Sequence, residues 1–525
     1  MIERRVDIAI LGGGTGAVAA ALAATSHGKK VIITEETDWL GGQLTSQGVP
    51  PDEHPWIESF GCTGRYREFR RRVREYHQAF YPLHNNARMD TTFNPGDGSV
   101  SRLCAEPRVY LSVLESMMSY AISKGLLDVR LGTRLIHIEM DGDEARCATV
   151  SNLCSGDREI IHADYFLDAT ELGDGIKLAG VEYVTGAESQ RQTGELHAAS
   201  VADENNVQAL TWCFAMGYDP DGDHTIDRPD NYDYWKSYNP NLTPSWPGKM
   251  FDWTYTNPIS LEPITASFDP MNCDGSFWRY RRLIGRSGYA EGCEPNEVVL
   301  VNWPQNDYIE GNIIDTSSEK IRDHLRSARE MSMSLFYWMQ TEAPRPDGGE
   351  GFSGLYLCPN VLGTWDGFAK APYIRESRRI RAVSTVTEEH VGLEARGSNK
   401  AESFADSVGV GCYRIDLHPS TGRDNYIDVA SIPFQIPLSA LVPERVRNVL
   451  PACKNIGTTH ITNGCYRLHP VEWNIGEAAG MTASFCIDGG CSPQQICEDV
   501  ELLQDLQRQM LDDGFELEWP EIHPV

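Results

Sequence analysis

No stretch of this 525-residue chain approaches the roughly 20 consecutive apolar residues a membrane helix needs, so a helical membrane protein is excluded. No C-x-x-C occurs among its 14 cysteines. That removes an iron–sulfur cluster, a zinc site and a thioredoxin-type dithiol. Cys486, Cys491 and Cys497 are the densest group, and their spacing fits no metal, so buried or idle thiols and no metal centre are expected. Positive charge is scarce. Lys plus Arg is 46 and Asp plus Glu is 75, so the net charge is 46 − 75 = −29. Such a surface repels nucleic acid and anionic membranes. There is no internal repeat and no long low-complexity tract. The chain enters a strand almost at once, which leaves no room for a signal peptide, so cytoplasmic residence is expected.

What is present is concentrated first in the opening fifty residues. Arg5–Leu11 reads as a buried strand, and it runs into Gly12-Gly13-Gly14-Thr15-Gly16-Ala17 and a small-residue helix from Val18 to His27. Gly28 ends the helix, and Val31–Thr34 is a second apolar strand with Glu35 and Glu36 at its end. This is G-x-G-x-x-(G/A) between strand and helix with an acid about 20 residues on, the dinucleotide-binding fingerprint. Gly12 permits the tight turn, Gly14 lets backbone approach a pyrophosphate, and Ala17 keeps helix and strand close. The helix N-terminus, with Thr15 and Gly16, faces phosphate, and Glu35 is placed to bond ribose hydroxyls.

Further along, Trp39-Leu40-Gly41-Gly42-Gln43 again allows close backbone approach. Residues 48 to 61 are broken by Pro and Gly and read as loop. Arg65–Tyr81 is an amphipathic helix whose apolar face is Tyr66, Phe69, Val73, Tyr76 and Phe80. Its other face holds Arg65, Arg67, Arg70, Arg71, Arg72 and Arg74, either a solvated face with acidic neighbours or an anion or partner site. Pro107 starts a helix through Lys124. Strands follow at Asp128–Leu131, Arg134–Met140 and Cys147–Asn152, with a hairpin at Asp141-Gly142. A returning strand, Asp164–Thr170, ends in Glu171-Leu172-Gly173-Asp174. Residues from about 200 to 345 gain Trp, Tyr, Pro and Asn, and end in a helix, about Ser317–Gln340. Thr316 and Glu319 have capping-box spacing there, with Ile321, Leu325, Ala328, Leu335 and Met339 inward. Ala343–Gly349 marks a boundary. Val446–Ala452 is a last core strand, and a helix runs from about Pro470 to Cys486.

Three separated segments, Gly12–Ala17 with Glu35, Asp168–Asp174, and Asn448–Gly480, together resemble FAD-dependent oxidoreductases of the glutathione-reductase-like superfamily. The nearest resemblance is to a bacterial FAD oxidoreductase family distantly similar to fumarate reductase flavoproteins. Trp39–Gly42 and Pro372–Ile380 look like that family's own signatures. The resemblance implies an α/β architecture: a Rossmann-type FAD-binding domain with a parallel sheet and β-meander, plus an inserted mixed α+β substrate domain. The expected division is 1–200 (with a helical insertion at about 50–104), 201–345 for the substrate domain, 346–490 for the second FAD part, and 491–525 as a tail. Expected FAD contacts are Gly12, Gly14, Thr15, Gly16, Ala17, Glu35, Glu36, Gly41, Gly42, Gln43, Asp168, Ala169, Gly173, Asp174, Gly457, Gly476 and Ala479. Gly457 would sit near the flavin, and the helix carrying Gly476 would direct its N-terminus at the flavin's N1 edge. Glu477 stands where relatives more often have Gln, and is expected to face solvent.

The loop Thr458–Glu472 then lies at the redox centre. His460 is a candidate acid/base or a structural histidine, and Arg467 a flavin or substrate anchor or an ion-pair member. His469 is a candidate for covalent flavin attachment. Arg375, Arg378 and Arg379, with Glu376, either hold domains together or bind substrate. The one G-x-G-x-x-G after Asp174, Gly349–Gly354, follows the Pro- and Gly-broken stretch from Ala343 and no apolar strand, so a separate NAD(P)H domain is not expected and the electron acceptor stays open, as does homo-oligomerisation. The expected activity is hydride transfer between a small polar substrate and flavin N5, by a dehydrogenase or oxidase. The alternatives are a flavin monooxygenase or hydroxylase and an electron-carrying subunit. The charge disfavours an RNA-modifying flavoprotein.

Overall fold

The computed structural model describes residues 2–272 and 276–520, which leaves Cys273 outside the described residues. Five short apolar stretches set the frame: β1 (Ile8–Leu11), β2 (Val31–Thr34), β3 (Leu127–Arg130), β4 (Tyr165–Asp168) and β5 (Val449–Pro451). They pair all-parallel in the order β5-β4-β1-β2-β3, with Ile8 opposite Tyr165 and Val31 opposite Leu127. β1, β2 and β4 are buried throughout, which is why they read as continuous Ile, Val and Leu instead of alternating. The strand expected over Arg5–Leu11 is in fact two. Ile2–Arg5 is exposed and pairs with Arg158–His162 in a second sheet. Its charged Glu-Arg-Arg sequence could not enter a sheet covered on both faces.

α1 (Thr15–Ser26) leaves β1 and is buried almost all round, as its run of small residues requires. α2 (Gly64–Phe80) is capped by the Thr63 side chain. Tyr66, Phe69 and Val73 are buried as expected, but Phe80 is 72% exposed, because the last turn runs past the core. The arginine face divides: Arg71 and Arg72 lie towards solvent and pair with Glu68 and Glu75, while the others are drawn into ion pairs with distant segments. Arg70 and Arg74 are buried, bonded to Glu53 and Glu58 at 2.7–2.8 Å. Arg65 pairs with Glu477 at 2.6 Å and Asp513 at 2.9 Å, and Arg67 pairs with Glu516. Glu477 is therefore buried, not solvent-facing, and also accepts from Trp473 Nε1 at 2.9 Å. α3 (Pro107–Ser123) covers the other flank, and a meander of Thr133–Asp141, Glu144–Asn152 and Arg158–His162 follows.

The middle region has its own aromatic core and an antiparallel sheet of Arg282–Ile284, Val298–Val301, Phe214–Tyr218 and Leu355–Leu357. Because Leu355–Leu357 completes this sheet, Ala343–Gly349 is a turn inside the unit, and the unit runs past residue 345. α4 (Ser318–Thr341) packs on it through Ala328, Leu335 and Met339, with Ile321 and Leu325 half-buried. Its cap is Ser317, one residue beyond the expected Thr316.

The segment expected as a loop from Thr458 to Glu472 is buried helix: α5 (His460–Tyr466), capped by Thr459, then the first turn of α6 (His469–Gly489). α6 crosses α1 backbone to backbone. A Cβ on Gly476 would lie 2.0 Å from Gly16 O, and one on Gly480 would lie 2.4 Å from Ala20 O. α7 (Val500–Asp512) closes this core with Leu503, Leu506 and Met510. Among the described residues no helix is long and apolar enough to cross a membrane.

Candidate active site

At the carboxyl end of β1 the chain turns at Gly12, whose φ of +94° and a Cβ position 2.4 Å from Ala169 O both demand glycine. Gly12 N donates to Thr34 Oγ1 at 3.2 Å and Gly13 N to Glu35 Oε2 at 3.0 Å. Glu35 also accepts from Thr37 N, and burial pushes its carboxyl up to about 7. Gly41-Gly42 lies on this turn. Gly41 N donates to Gly13 O at 2.8 Å, Thr15 Oγ1 donates to Gly41 O at 3.0 Å, and a Cβ on Gly42 would lie 2.8 Å from Gly14 Cα. Gly14 differs from these neighbours. A Cβ there would meet nothing nearer than 3.5 Å, and α1 starts at Gly14 without a side-chain cap. The helix N-terminus therefore opens on a space that only a missing side chain keeps clear.

Glu171 and Glu472 border that space, 3.5 and 3.7 Å from the Gly14 Cβ position. The buried Lys454, which sequence reasoning missed, bonds Glu171 at 2.6 Å. Burial pushes Glu472 up to about 7, so at neutral pH its negative charge is only partial. Asp168 is buried and closes its own turn, accepting from Thr170 N at 2.9 Å and Ile176 N at 2.7 Å, and burial lifts it to about 6. Ala169 N donates to Leu11 O, tying β4's end to β1. Gly173 has φ +70° against Arg378, and Asp174 accepts from Arg378 at 2.9 Å. Glu36 is exposed and paired with Arg134. Gly457 packs on Ala382 and Ser384, and Gly476 fits the α1 crossing, with Ala479 buried on the same helix.

A cavity of about 600 Å³ lies where the middle region meets the C-terminal segment. Asp52, Arg281, Tyr373, Arg375 and Arg467 line it, with Tyr413, Asp416, His418 and Tyr426 opposite. Gln43 connects it to the glycine turn. Gln43 Nε2 donates to Arg467 O at 3.1 Å and to Glu472 Oε2 at 2.8 Å, and Tyr373 Oη lies 3.4 Å from Gln43 Oε1. Arg375 donates to Ala209 O and Thr211 Oγ1 at 2.8 Å and pairs with Asp307 at 3.1 Å. Arg281 pairs with Asp52 at 3.2 Å, and Arg467 with Asp416 at 3.4 Å.

The expected histidines divide. His460 Nδ1 lies 3.0 Å from the buried Glu376, which also holds Arg379. Burial alone would lower His460, but the Glu376 carboxylate outweighs it and holds the ring above its ordinary value. His460 is not on the cavity wall. Arg378 and Arg379 tie segments together through Asp174, Asp315 and Glu188. His469 Nδ1 accepts from Asp52 N at 3.1 Å, which leaves Nε2 as the only open ring nitrogen, and burial lowers the ring to about 4.

Sequence reasoning missed Arg281, Asp307, Asp416, Tyr373 and His418. One signal was present. Arg414, Asp416 and His418 alternate with Tyr413, Ile415 and Leu417 around the strand Ile415–Leu417, which sets the three charged side chains on one face. Asp428 on the partner strand stands opposite Asp416.

Sheet order, glycine turn and uncapped helix define a Rossmann-type dinucleotide-binding oxidoreductase fold. The chain belongs to the FAD dependent oxidoreductase family, whose profile matches residues 7–510. It is an FAD-dependent enzyme. No curated protein matches the chain. Among solved structures it is similar to a geranylgeranyl bacteriochlorophyll reductase-like protein from Thermoplasma acidophilum, with 11% identity over 98% of this chain and 85% of that one (TM-score 0.36). It is similar to a myxobacterial chondrochloren halogenase at 11% identity over 97% and 79% (TM-score 0.34). It also matches L-proline dehydrogenase from P. horikoshii at 17% identity over 36% of this chain (TM-score 0.18), and spans 24% of that protein's length.

The residues fit FAD. The clear space over Gly14 suits a pyrophosphate on a helix N-terminus. On the segments joining the turn to the cavity, both amide atoms of Gln47, Thr458 Oγ1, Asn463 Oδ1 and His469 Nε2 are buried without a hydrogen-bond partner among the described residues. Orphaned groups of this kind call for a buried, heteroatom-rich ligand.

Proposed function

We propose that the enzyme exchanges a hydride between FAD and a small polar organic molecule held in the 600 Å³ cavity. The supporting observation is the cavity's construction: polar, tyrosine-rich, and walled by Tyr373 and Arg467, which are bonded to the same Gln43 that lies against the glycine turn. Bound FAD supplies the two-electron chemistry. Gly12, Gly14, Thr15, Gly16 and Ala17 would hold its pyrophosphate. Gly41, Gly42 and Gln43 would support that turn, with Lys454 countering the nearby carboxylates. Glu35 is occupied by Gly13 N and Thr37 N, so any ribose hydroxyl would share its carboxylate. Arg281, Arg375 and Arg467, each paired with an aspartate, orient substrate by directed N–H groups without a large net charge. His460, bound to Glu376 away from the cavity, positions α5.

The test is anaerobic bleaching of the visible flavin spectrum by D-glucose, D-gluconate, L-lactate and ethanolamine, followed by wider members of the same classes. Reduction by a polar substrate, lost in Arg467→Met with FAD retained, is the expected result. A flavin that no such compound reduces, and whose reduced form returns no electrons to their oxidised counterparts, refutes the reading.

A further inference from the structure

We propose that His418 exchanges the substrate's proton in the cavity, with Asp307 fixing its tautomer; this rests on the cavity being the substrate site. His418 is the one histidine on that wall among the described residues. Its Nδ1 lies 2.6 Å from Asp307 Oδ2. Asp307 is fully buried and itself held by Thr211 Oγ1 at 2.7 Å and Arg375 Nη2 at 3.1 Å. Burial would raise this carboxyl, but Arg375 and His418 outweigh burial and hold it below its ordinary value, so it stays an acceptor. Nδ1 is therefore the donor, and a neutral ring presents a bare Nε2. Among the described residues that nitrogen makes no hydrogen bond; Asp416 Oδ2 lies 3.7 Å from it, and the side chain is 20% exposed.

The other two histidines lack this combination. His460 is off the cavity wall. His469 accepts at Nδ1, so its Nε2 carries the proton and cannot act as a base. A base oriented by a carboxylate, with its second nitrogen open to the reacting group, is the arrangement general acid/base catalysis needs. As a substrate carbinol is oxidised, its O–H bond breaks and the proton passes to His418 Nε2. The O–H electron pair becomes the second bond of the carbonyl, and the C–H pair leaves as the hydride taken up by the bound oxidised cofactor. The groups facing His418 are Asp307 and Arg375 on one side, Asp416 and Asp428 along its own hairpin, and Tyr426, whose ring centre lies 5.5 Å away.

Two measurements on the holoenzyme test this. Diethyl pyrocarbonate labelling, read by peptide mass, is expected to modify His418 ahead of His460 and His469. His418→Asn is expected to keep its FAD and slow flavin reduction by the bleaching compound about 10²–10⁴-fold, with added imidazole restoring part of the rate in His418→Ala. Wild-type bleaching with unchanged kinetics in His418→Asn, or a His418 that resists the reagent, overturns the proton role alone. If no compound bleaches the wild type, the cavity reading falls and takes this role with it.

Discussion

Gly14→Val separates cofactor binding from folding. A Cβ at Gly14 has 3.5 Å of clearance and φ is −65°, so the backbone there accepts a β-carbon. The loss to the apo-protein is that of a poorer N-cap, under about 1.5 kcal/mol. The valine instead fills the space over the first turn of α1. Charge-assisted bonds from backbone N–H to phosphate contribute about 1.5–3 kcal/mol each. Losing two of them costs roughly 3–6 kcal/mol, which weakens FAD about 10²–10⁴-fold. Gly16→Ala is the control. Its Cβ would sit 1.9 Å from Ala452 O and 3.1 Å from Glu472 O, all backbone, so strand and helix must part at about 3 kcal/mol or more. The assay titrates FAD into each apo-protein by calorimetry and compares their urea midpoints. Gly14→Val should lose affinity and keep its midpoint, while Gly16→Ala should lose its midpoint. A folded Gly14→Val with wild-type affinity would refute the placement of the pyrophosphate.

Glu477→Gln leaves Asp513 as the one carboxylate paired with Arg65 among the described residues, and should cost up to about 3 kcal/mol in urea unfolding; a loss no larger than that of an exposed pair such as Arg71–Glu75 would mean the buried pair is miscast. Burial lowers His77 from 6.5 to about 4. A folded value below the unfolded one contributes stability that is present above pH 6.5 and lost as pH falls towards 4, at most about 3 kcal/mol. His77→Leu should therefore move the acid-unfolding midpoint to lower pH, and an unmoved midpoint would reject His77 as a contributor. Lys454→Met leaves Glu171 and Glu472 facing the glycine turn without a counter-charge, so apo-protein should take up FAD more weakly, and more so at pH 8 than at pH 6, where Glu472 is largely protonated; a pH-independent loss would contradict that sign.

The opening fold was legible because its chemistry is contiguous. Strand, glycine turn and helix follow one another in the chain, although the backbone that Gly12 and Gly16 make room for comes from Ala169 and Ala452 far along it. Boundaries failed where burial came from far off. Arg70 and Arg74 look like a polar helix face until Glu53 and Glu58, from a segment with no periodicity, fold over them. Glu477 looked exposed by its charge, yet a whole helix, α2, stands between it and water and supplies Arg65. Periodicity reports which side of an element is apolar; it does not report a buried ion pair, whose two halves read as polar wherever they sit.

The same limit explains why the chemistry was first sought at His460. Position in the chain, between the last strand and the long helix, brought that residue forward, and proximity along the chain was the only warrant. The cavity takes Arg375 and Arg467, both expected at the site, together with Asp52, Arg281, Asp416 and His418, of which only the last two, alternating about the Ile415–Leu417 strand, follow a local rule. What distinguishes His418 from His460 is not the partner, since each has a buried carboxylate at Nδ1, but place. His418 lines the cavity. At His460 the Glu376 carboxylate also serves Arg379, and the ring lies off the cavity wall. A histidine fixed at one nitrogen and open at the other is arranged for proton exchange. One held by the hub of a buried ion network, whose neighbours Glu188 and Arg379 bind the segments around α5, is arranged to keep that helix in place.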